Sequence, residues 1–127
     1  MSVISAAKFF LVTGALNAMA SVMLGAFGAH GLKDKLSSQA MTTFQTGVEY
    51  HFYHSLGLLV VGLIITQLPI SGIKLTGWLM IAGIILFSGS LYLLALTGIR
   101  QLGMITPIGG ICFIAAWGLL AFTLYRQ

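Results

Sequence analysis

Charged residues are scarce in this chain of 127 residues, and acidic ones are almost absent. Only 6% of the residues are charged, whereas about 25% are charged in typical soluble domains. Six cations face two acids, so the formal charge of +4 reflects missing acids rather than a basic patch. Because nucleic-acid binding needs clustered Lys and Arg, we expect no nucleic-acid partner.

Cysteine is the next shortage. Cys112 is the single cysteine and lies in an apolar run, so an intrachain disulfide is excluded and a packed thiol is expected. With two acidic residues and one thiol, the chain has few side chains that could complete the coordination of a metal ion. No nucleophile, base and orienting group occur together in the sequence, so we expect no catalytic residues, no cofactor and no enzyme.

Long uncharged runs dominate what is present. Four segments contain no Asp, Glu, Lys or Arg, namely 9–29, 55–73, 75–99 and 102–125. A bilayer core needs about 20 apolar residues in a helix, and a helix satisfies its own backbone hydrogen bonds in lipid. The alternation expected of a transmembrane strand is absent. We therefore predict an all-α integral membrane protein, a bundle of four transmembrane helices.

The runs predict a single membrane domain over residues 1–127, with spans at about 8–30, 47–68, 75–97 and 106–125. The first run exceeds the roughly 7–15 apolar residues of a signal-peptide core, so we expect a retained first span. Four spans would put both termini on the same side of the membrane. Thr106 and Pro107 are typical of an N-cap and a first-turn proline, and they are predicted to begin the fourth span.

The segment between spans 1 and 2 is more polar than the rest. Residues 31–46 hold three of the eight formal charges, and Gly31 is expected to end the first span. From residue 37 onward, Ala40, Phe44 and Val48 recur at helical spacing on one side. We predict an amphipathic segment at the membrane surface, and an ordinary polar loop is the alternative.

Ionisable side chains near the ends of the spans are candidates for function, because such groups are costly in hydrocarbon. His30 ends the first span, and Glu49, His51 and His54 lie at the start of the second. His51 and His54 share a helix face, whereas Glu49 points about 160° away from His51. We predict a polar knot between spans 1 and 2 that buries one or two of these histidines.

His30 carries the most specific expectation. Gly31 ends span 1, so His30 lies where free backbone carbonyls need donors. We expect a buried or interfacial anchor beside span 2, bonded to Tyr50, His54 or a carbonyl. A metal or haem site formed by His30, His51 and His54 is the alternative.

Small and polar residues within the spans predict helix contacts. Ser21, Gly25 and Ala29 are spaced four apart, and such rows let a second helix approach closely. Gly28 is interpreted as a further packing residue. Asn17, in the middle of span 1, is expected to bond another helix rather than a substrate.

Four motifs resemble those of the small bacterial YgdD/YwdK-like membrane proteins: "GAFGAHGL" at 25–32, Tyr50 with His54, "FSGSLY" at 87–92 and "ITPIGG" at 105–110. The resemblance covers essentially the whole chain and implies a four-helix protein of the bacterial plasma (inner) membrane, with no established activity. We expect cytoplasmic termini. The remaining motif positions are candidate polar-core or packing residues: Ser88, Tyr92, Gly109 and Gly110.

Three functions remain open from the sequence. The first is a non-enzymatic membrane component that forms a homo-oligomer or binds a membrane lipid or a larger membrane partner. The second is a transporter or channel subunit that moves a proton or small solute along His30, Glu49 and His54. The third is metal or haem binding through histidines. No specific small-molecule ligand is predicted.

Overall fold

The fold, described here from a computed structural model for residues 2–68 and 70–127, consists of antiparallel helices. The first two, α1 (Val3–His30) and α2 (Ser38–Gln67), form a hairpin. The third span comprises α3 (Ile73–Gly83), a π-helical turn (Ile84–Ser88) and α4 (Gly89–Thr97), and a short 3-10 helix (Arg100–Met104) leads into α5 (Thr106–Tyr125).

Four helical segments are long and apolar enough to cross a membrane: Val3–His30, Ser38–Gln67, Ile73–Thr97 and Arg100–Tyr125. No strand occurs in the part of the chain that the structure describes. The predicted fold class, an all-α membrane protein with four spanning helices, is confirmed.

The segment predicted before span 2 is helical and continuous with that span. Residues 38–46 form the first turns of α2, so the alternative of an ordinary polar loop is wrong. The Ser37 hydroxyl accepts a hydrogen bond from the Ala40 amide at 3.1 Å and so caps α2 ten residues before the predicted transmembrane part begins. The apolar face predicted around Phe44 packs on α1, where Phe44 is buried against Gly28.

Glycines set the spacing of the α1–α2 hairpin. A Cβ on Gly14 would lie 2.9 Å from the Ser55 carbonyl oxygen, and one on Gly28 would lie 2.7 Å from the Phe44 ring. The predicted row of small residues is only partly correct. Ser21 is buried and Gly25 approaches Val48, but Ala29 is exposed, because the helix turns it away from the Gly28 face.

The fourth span packs on the third through an even closer approach. A Cβ on Gly109 would overlap the backbone of Phe87, 2.8 Å from its Cα atom. The prediction that Thr106 is the N-cap is wrong, since Ile105 occupies that position. The Thr106 hydroxyl instead lies 2.5 Å from the Ser90 hydroxyl and joins α5 to α4.

This pairing fixes the level at which α5 begins. Ser90 lies seven residues before the end of α4 at Thr97, which corresponds to about 10 Å along the helix. The connection after Gly98, whose φ of 73° ends α4 in the left-handed region, therefore runs back along α4 before α5 starts.

Candidate functional site

A chain of polar side chains joins three of the four spans. His51 on α2 lies 2.8 Å through Nδ1 from the Tyr92 hydroxyl on α4, and 2.8 Å through Nε2 from Oδ1 of Asn17 on α1. The Asn17 amide nitrogen in turn donates to the carbonyl oxygen of Thr13 at 2.8 Å. The His51 side chain is only 6% exposed. We refer to Asn17, His51 and Tyr92 as the polar chain.

The direction of these bonds follows from donor chemistry. The Asn17 Nδ2 group donates to a carbonyl, so Oδ1 is the atom that faces His51, and it can only accept. His51 therefore carries a proton on Nε2 when the ring is neutral. Its Nδ1 atom then accepts from the Tyr92 hydroxyl, which can donate. With His51 neutral, each donor in the polar chain therefore meets an acceptor.

The second buried histidine has the opposite tautomer. The Nδ1 atom of His54 lies 2.7 Å from the Tyr50 carbonyl oxygen, one turn earlier on α2, so Nδ1 carries the proton. Nε2 accepts from the indole Nε1–H of Trp117 on α5 at 3.0 Å. The His54 ring is stacked on Phe113, with ring centroids 3.4 Å apart. Both nitrogens of His54 are thus committed to the bundle.

His30 does not lie where it was expected. It is exposed and makes no hydrogen bond to any residue that the structure describes. The amides of Gly31 and Leu32 donate to the free Phe27 carbonyl instead. Gly28, two residues earlier, faces α2, and two residues rotate a helix by about 200°, so His30 points away from the hairpin.

Glu49 is exposed for the same geometric reason. It lies two residues from Gly47 and from His51, both of which are buried, and therefore occupies the opposite face of α2. His30, Glu49 and His54 consequently do not form a single path. The three-histidine metal site is not assembled either, because His51 and His54 use all four ring nitrogens in other bonds, and no potential metal-binding cluster occurs among the described residues.

The Ser88 hydroxyl is a buried group with no hydrogen-bond partner among the described residues. Ser88 lies in the π-helical turn, one turn before Tyr92, and is fully buried. It contacts neither histidine by a hydrogen bond. The structure therefore does not bring Ser88 into the polar chain.

An aromatic groove runs between α2 and α5. Its volume is about 560 Å³, and it extends past Tyr50 and Tyr53 on one side and Phe113 and Trp117 on the other. We call this cavity the aromatic groove. Its remaining lining consists of His54, Phe87, Gly110 and Ile114. Tyr53 and Ile114 are largely exposed, so the groove opens on the outer surface of the bundle.

A second cavity lies against the polar chain. It has a volume of about 450 Å³, and its polar lining consists of Asn17, His51, Tyr92 and Ser90. Leu102 and Ile105, from the connection that precedes α5, also line this cavity. We call it the polar-chain cavity.

Comparisons with known proteins agree with this picture of a polytopic membrane protein. The family model described as a protein of unknown function (DUF423) matches residues 24–110. The chain is 52% identical to the UPF0382 membrane protein YwdK of Bacillus subtilis over 111 residues, 87% of this chain and 90% of that protein. The chain belongs to this family. No solved structure matches it.

Other UPF0382 membrane proteins are equally similar to this chain. A relative from Staphylococcus epidermidis is 56% identical over 110 residues, 87% of this chain and 89% of that protein. The resemblance found in the sequence motifs is therefore confirmed. Within this UPF0382 chain, His51 is the central residue of the polar chain, and sequence reasoning placed it among the candidate histidines without predicting its bonds to Asn17 and Tyr92. The available signal was its position three residues before His54, together with the buried polar Asn17 in the neighbouring span.

Proposed function

We propose that this protein is a non-enzymatic membrane component that binds one membrane lipid in the aromatic groove. The observation that supports this proposal is the groove itself, which opens laterally from a bundle long enough to cross a bilayer. Ligand sites are generally concave and mostly apolar, with a few polar groups that fix orientation. The groove has this composition, with no charged residue in its lining.

The depth of the groove suits a lipid of one leaflet. Gly110 and Trp117 lie about 6 Å and 16 Å along the axis from the start of α5 at Thr106. Half of a 30 Å hydrocarbon core is about 15 Å. The groove therefore extends about 10 Å along α5, less than the thickness of one leaflet, on the side where α2 and α5 begin.

Two hydroxyls provide the polar contacts for such a lipid. Those of Tyr50 and Tyr53 make no hydrogen bond within the described chain, and the two rings pack edge to face with centroids 5.7 Å apart. Side chains on a helix lean toward its N-terminus, so both tyrosines lean toward the headgroups of this leaflet. Both hydroxyls can donate to oxygens of a lipid whose acyl chain lies along Phe113 and Trp117.

Transport along His30, Glu49 and His54 has less support. His30 and Glu49 are exposed and lie on different helices, and both ring nitrogens of His54 are already hydrogen-bonded. Self-association is the competing use of the same groove, in which a helix of a second copy would replace the lipid. The experiment below separates these two occupants.

The test compares two glycines of α5. A Cβ on Gly110 would lie 3.8 Å from the Phe87 ring, an ordinary contact, so Gly110→Leu should fill the groove without moving the backbone. Gly118, two turns later, has open space around it, and Gly118→Leu is the matched control. Delipidated protein in detergent is titrated with palmitoyl-oleoyl phosphatidylethanolamine, and bound lipid is counted by native mass spectrometry.

We expect one retained lipid on the wild type and on Gly118→Leu, and at least a tenfold loss of the lipid-bound species in Gly110→Leu. Equal lipid retention by all three proteins would refute the aromatic groove as the site. A dimer that dissociates only in Gly110→Leu, without bound lipid, would assign the groove to a second copy and overturn the lipid proposal.

A further inference from the structure

The two buried histidines differ in what a second proton would do to them. We propose that His51 is a proton-binding site within the membrane domain, and that its protonation turns the Tyr92 hydroxyl from His51 toward the polar-chain cavity. This site is independent of the aromatic groove, since none of its three residues lines that groove. It also uses residues other than those of the transport path considered from the sequence.

The polar chain accepts the proton without any movement of heavy atoms. In the neutral ring, Nε2 donates to Asn17 and Nδ1 accepts from Tyr92. A second proton on Nδ1 converts the ring to imidazolium, which donates from both nitrogens. Asn17 Oδ1 remains an acceptor, and the Tyr92 oxygen has lone pairs with which to accept. Both bonds at 2.8 Å are therefore kept, with one of them reversed.

His54 lacks this capacity. Its free lone pair is on Nε2, which receives the Trp117 indole N–H at 3.0 Å. An indole nitrogen only donates. A proton added to Nε2 would therefore oppose two donors inside the bundle and break the α2–α5 contact. Of the two buried rings, only His51 is built to exist in both states.

The reversed bond changes the polar-chain cavity. While His51 is neutral, the Tyr92 proton points at the imidazole, and Tyr92 presents its hydroxyl oxygen rather than its proton to the cavity. Once His51 donates, the hydroxyl proton is released from it, and Tyr92 lines the cavity as a donor. The cavity then carries a nearby positive charge and a free O–H. Proton uptake therefore makes it suited to a hydrogen-bond acceptor such as water or a small anion.

Among the residues that the structure describes, no carboxylate is bonded to the ring from any helix packed against it. α1 presents Asn17 and α4 presents Tyr92, and the connection before α5 presents Leu102 and Ile105. Tyr92 is the only titratable group bonded to His51 among the described residues, and Glu49 on α2 itself faces the opposite way. The added charge is therefore stabilised by two neutral acceptors, Asn17 Oδ1 and the Tyr92 oxygen. Without a carboxylate to hold it, the proton is expected to bind reversibly.

The test is nitrogen-15 NMR of the histidine rings in detergent micelles, followed from neutral to acidic pH. Ring signals are assigned through bonds to the backbone, so no variant is needed. At neutral pH we expect opposite tautomers, with the proton on Nε2 of His51 and on Nδ1 of His54. On acidification, His51 should become doubly protonated while the amide spectrum stays folded and His54 stays neutral.

Tyr92→Phe provides the second measurement. It removes the only acceptor for a proton on Nδ1, so the doubly protonated His51 signal should be lost at the pH where the wild type shows it. The proposal is overturned if His54 is protonated first, if His51 shows a proton on Nδ1 at neutral pH, or if the fold is lost before His51 gains its second proton. Unaltered protonation in a folded Tyr92→Phe protein would also overturn it.

Discussion

The indole Nε1–H of Trp117 donates to Nε2 of His54 at 3.0 Å and is the side-chain hydrogen bond that ties the fourth span to the second. The carbonyl of Tyr50 holds the other side of the imidazole at 2.7 Å, so the ring has one orientation. Phe113 covers its face. The wall of the aromatic groove is thus positioned by a histidine that has no remaining hydrogen-bonding capacity of its own.

Removing this bond should destabilise the bundle. Trp117→Phe keeps a ring in the groove but leaves the buried Nε2 atom of His54 without a donor, which typically costs about 1–3 kcal/mol. We expect a lower midpoint of thermal unfolding in detergent. Trp78→Phe is the matched control, because Trp78 packs on Phe9 and Phe10 and makes no hydrogen bond in the described chain. Equal losses for both variants would contradict the prediction.

The polar chain should behave as one unit. Asn17→Leu and Tyr92→Phe each remove one partner of His51, and hydrogen bonds between membrane helices contribute roughly 0.6–2 kcal/mol. Because both act on the same ring, a double-mutant cycle measured by unfolding in mixed micelles should show coupling of at least about 0.5 kcal/mol. Additive effects would mean that the two bonds are energetically separate.

Gly109 should tolerate no side chain. Its Cβ would overlap the Phe87 backbone, which cannot rotate out of the way as a side chain can. Gly109→Ala is therefore expected to separate α5 from the third span and to lower the unfolding midpoint sharply. Gly118→Ala makes the same chemical change on the same helix in open space and should leave the midpoint within experimental error. Similar stability of the two variants would refute the close packing.

His30→Ala and Glu49→Gln should have little effect on stability. Both side chains are exposed, and neither forms a hydrogen bond to the described residues. Surface substitutions of this kind usually change stability by less than about 0.5 kcal/mol. The measurement is thermal unfolding of each variant beside His51→Ala, which should lose far more. If His30→Ala lowered the unfolding midpoint as much as His51→Ala, the original prediction that His30 anchors the bundle would be supported instead.

The spans were predictable because the bilayer imposes a length and an apolar composition that appear directly in the sequence. The polar partners were predictable only in part. Asn17 was expected to bond another helix and does so through His51, whereas His30, the expected anchor beside span 2, is exposed. Whether His30 or His51 faces the bundle depends on the rotation of each helix, and that rotation is set by glycine contacts such as Gly28 on Phe44.

Helix caps explain two differences between the sequence and the structure, although α5 does begin at Thr106 as predicted. Ser37 is a good N-cap, and nothing between it and Gln67 breaks a helix, so α2 begins well before the apolar run does. Apolar runs show where lipid lies, whereas caps show where helices begin. Thr106 shows the opposite case, a residue that was predicted to be a cap and does not act as one. The residue has the chemistry of a cap, but a neighbouring hydroxyl, that of Ser90, is close enough to take its hydrogen bond.

The π-helical turn divides the third span into two halves that can be oriented separately. Its defining bond runs from the Gly89 amide to the Ile84 carbonyl, five residues apart instead of four. Before it, Gly83 meets Phe113 of α5, and after it Tyr92 reaches His51 of α2. The turn therefore holds one residue more than an α-helical turn does. Deleting one residue here would restore a regular α-helix and leave Tyr92 facing its histidine, so the third span carries one residue that its contacts to α2 and α5 do not need.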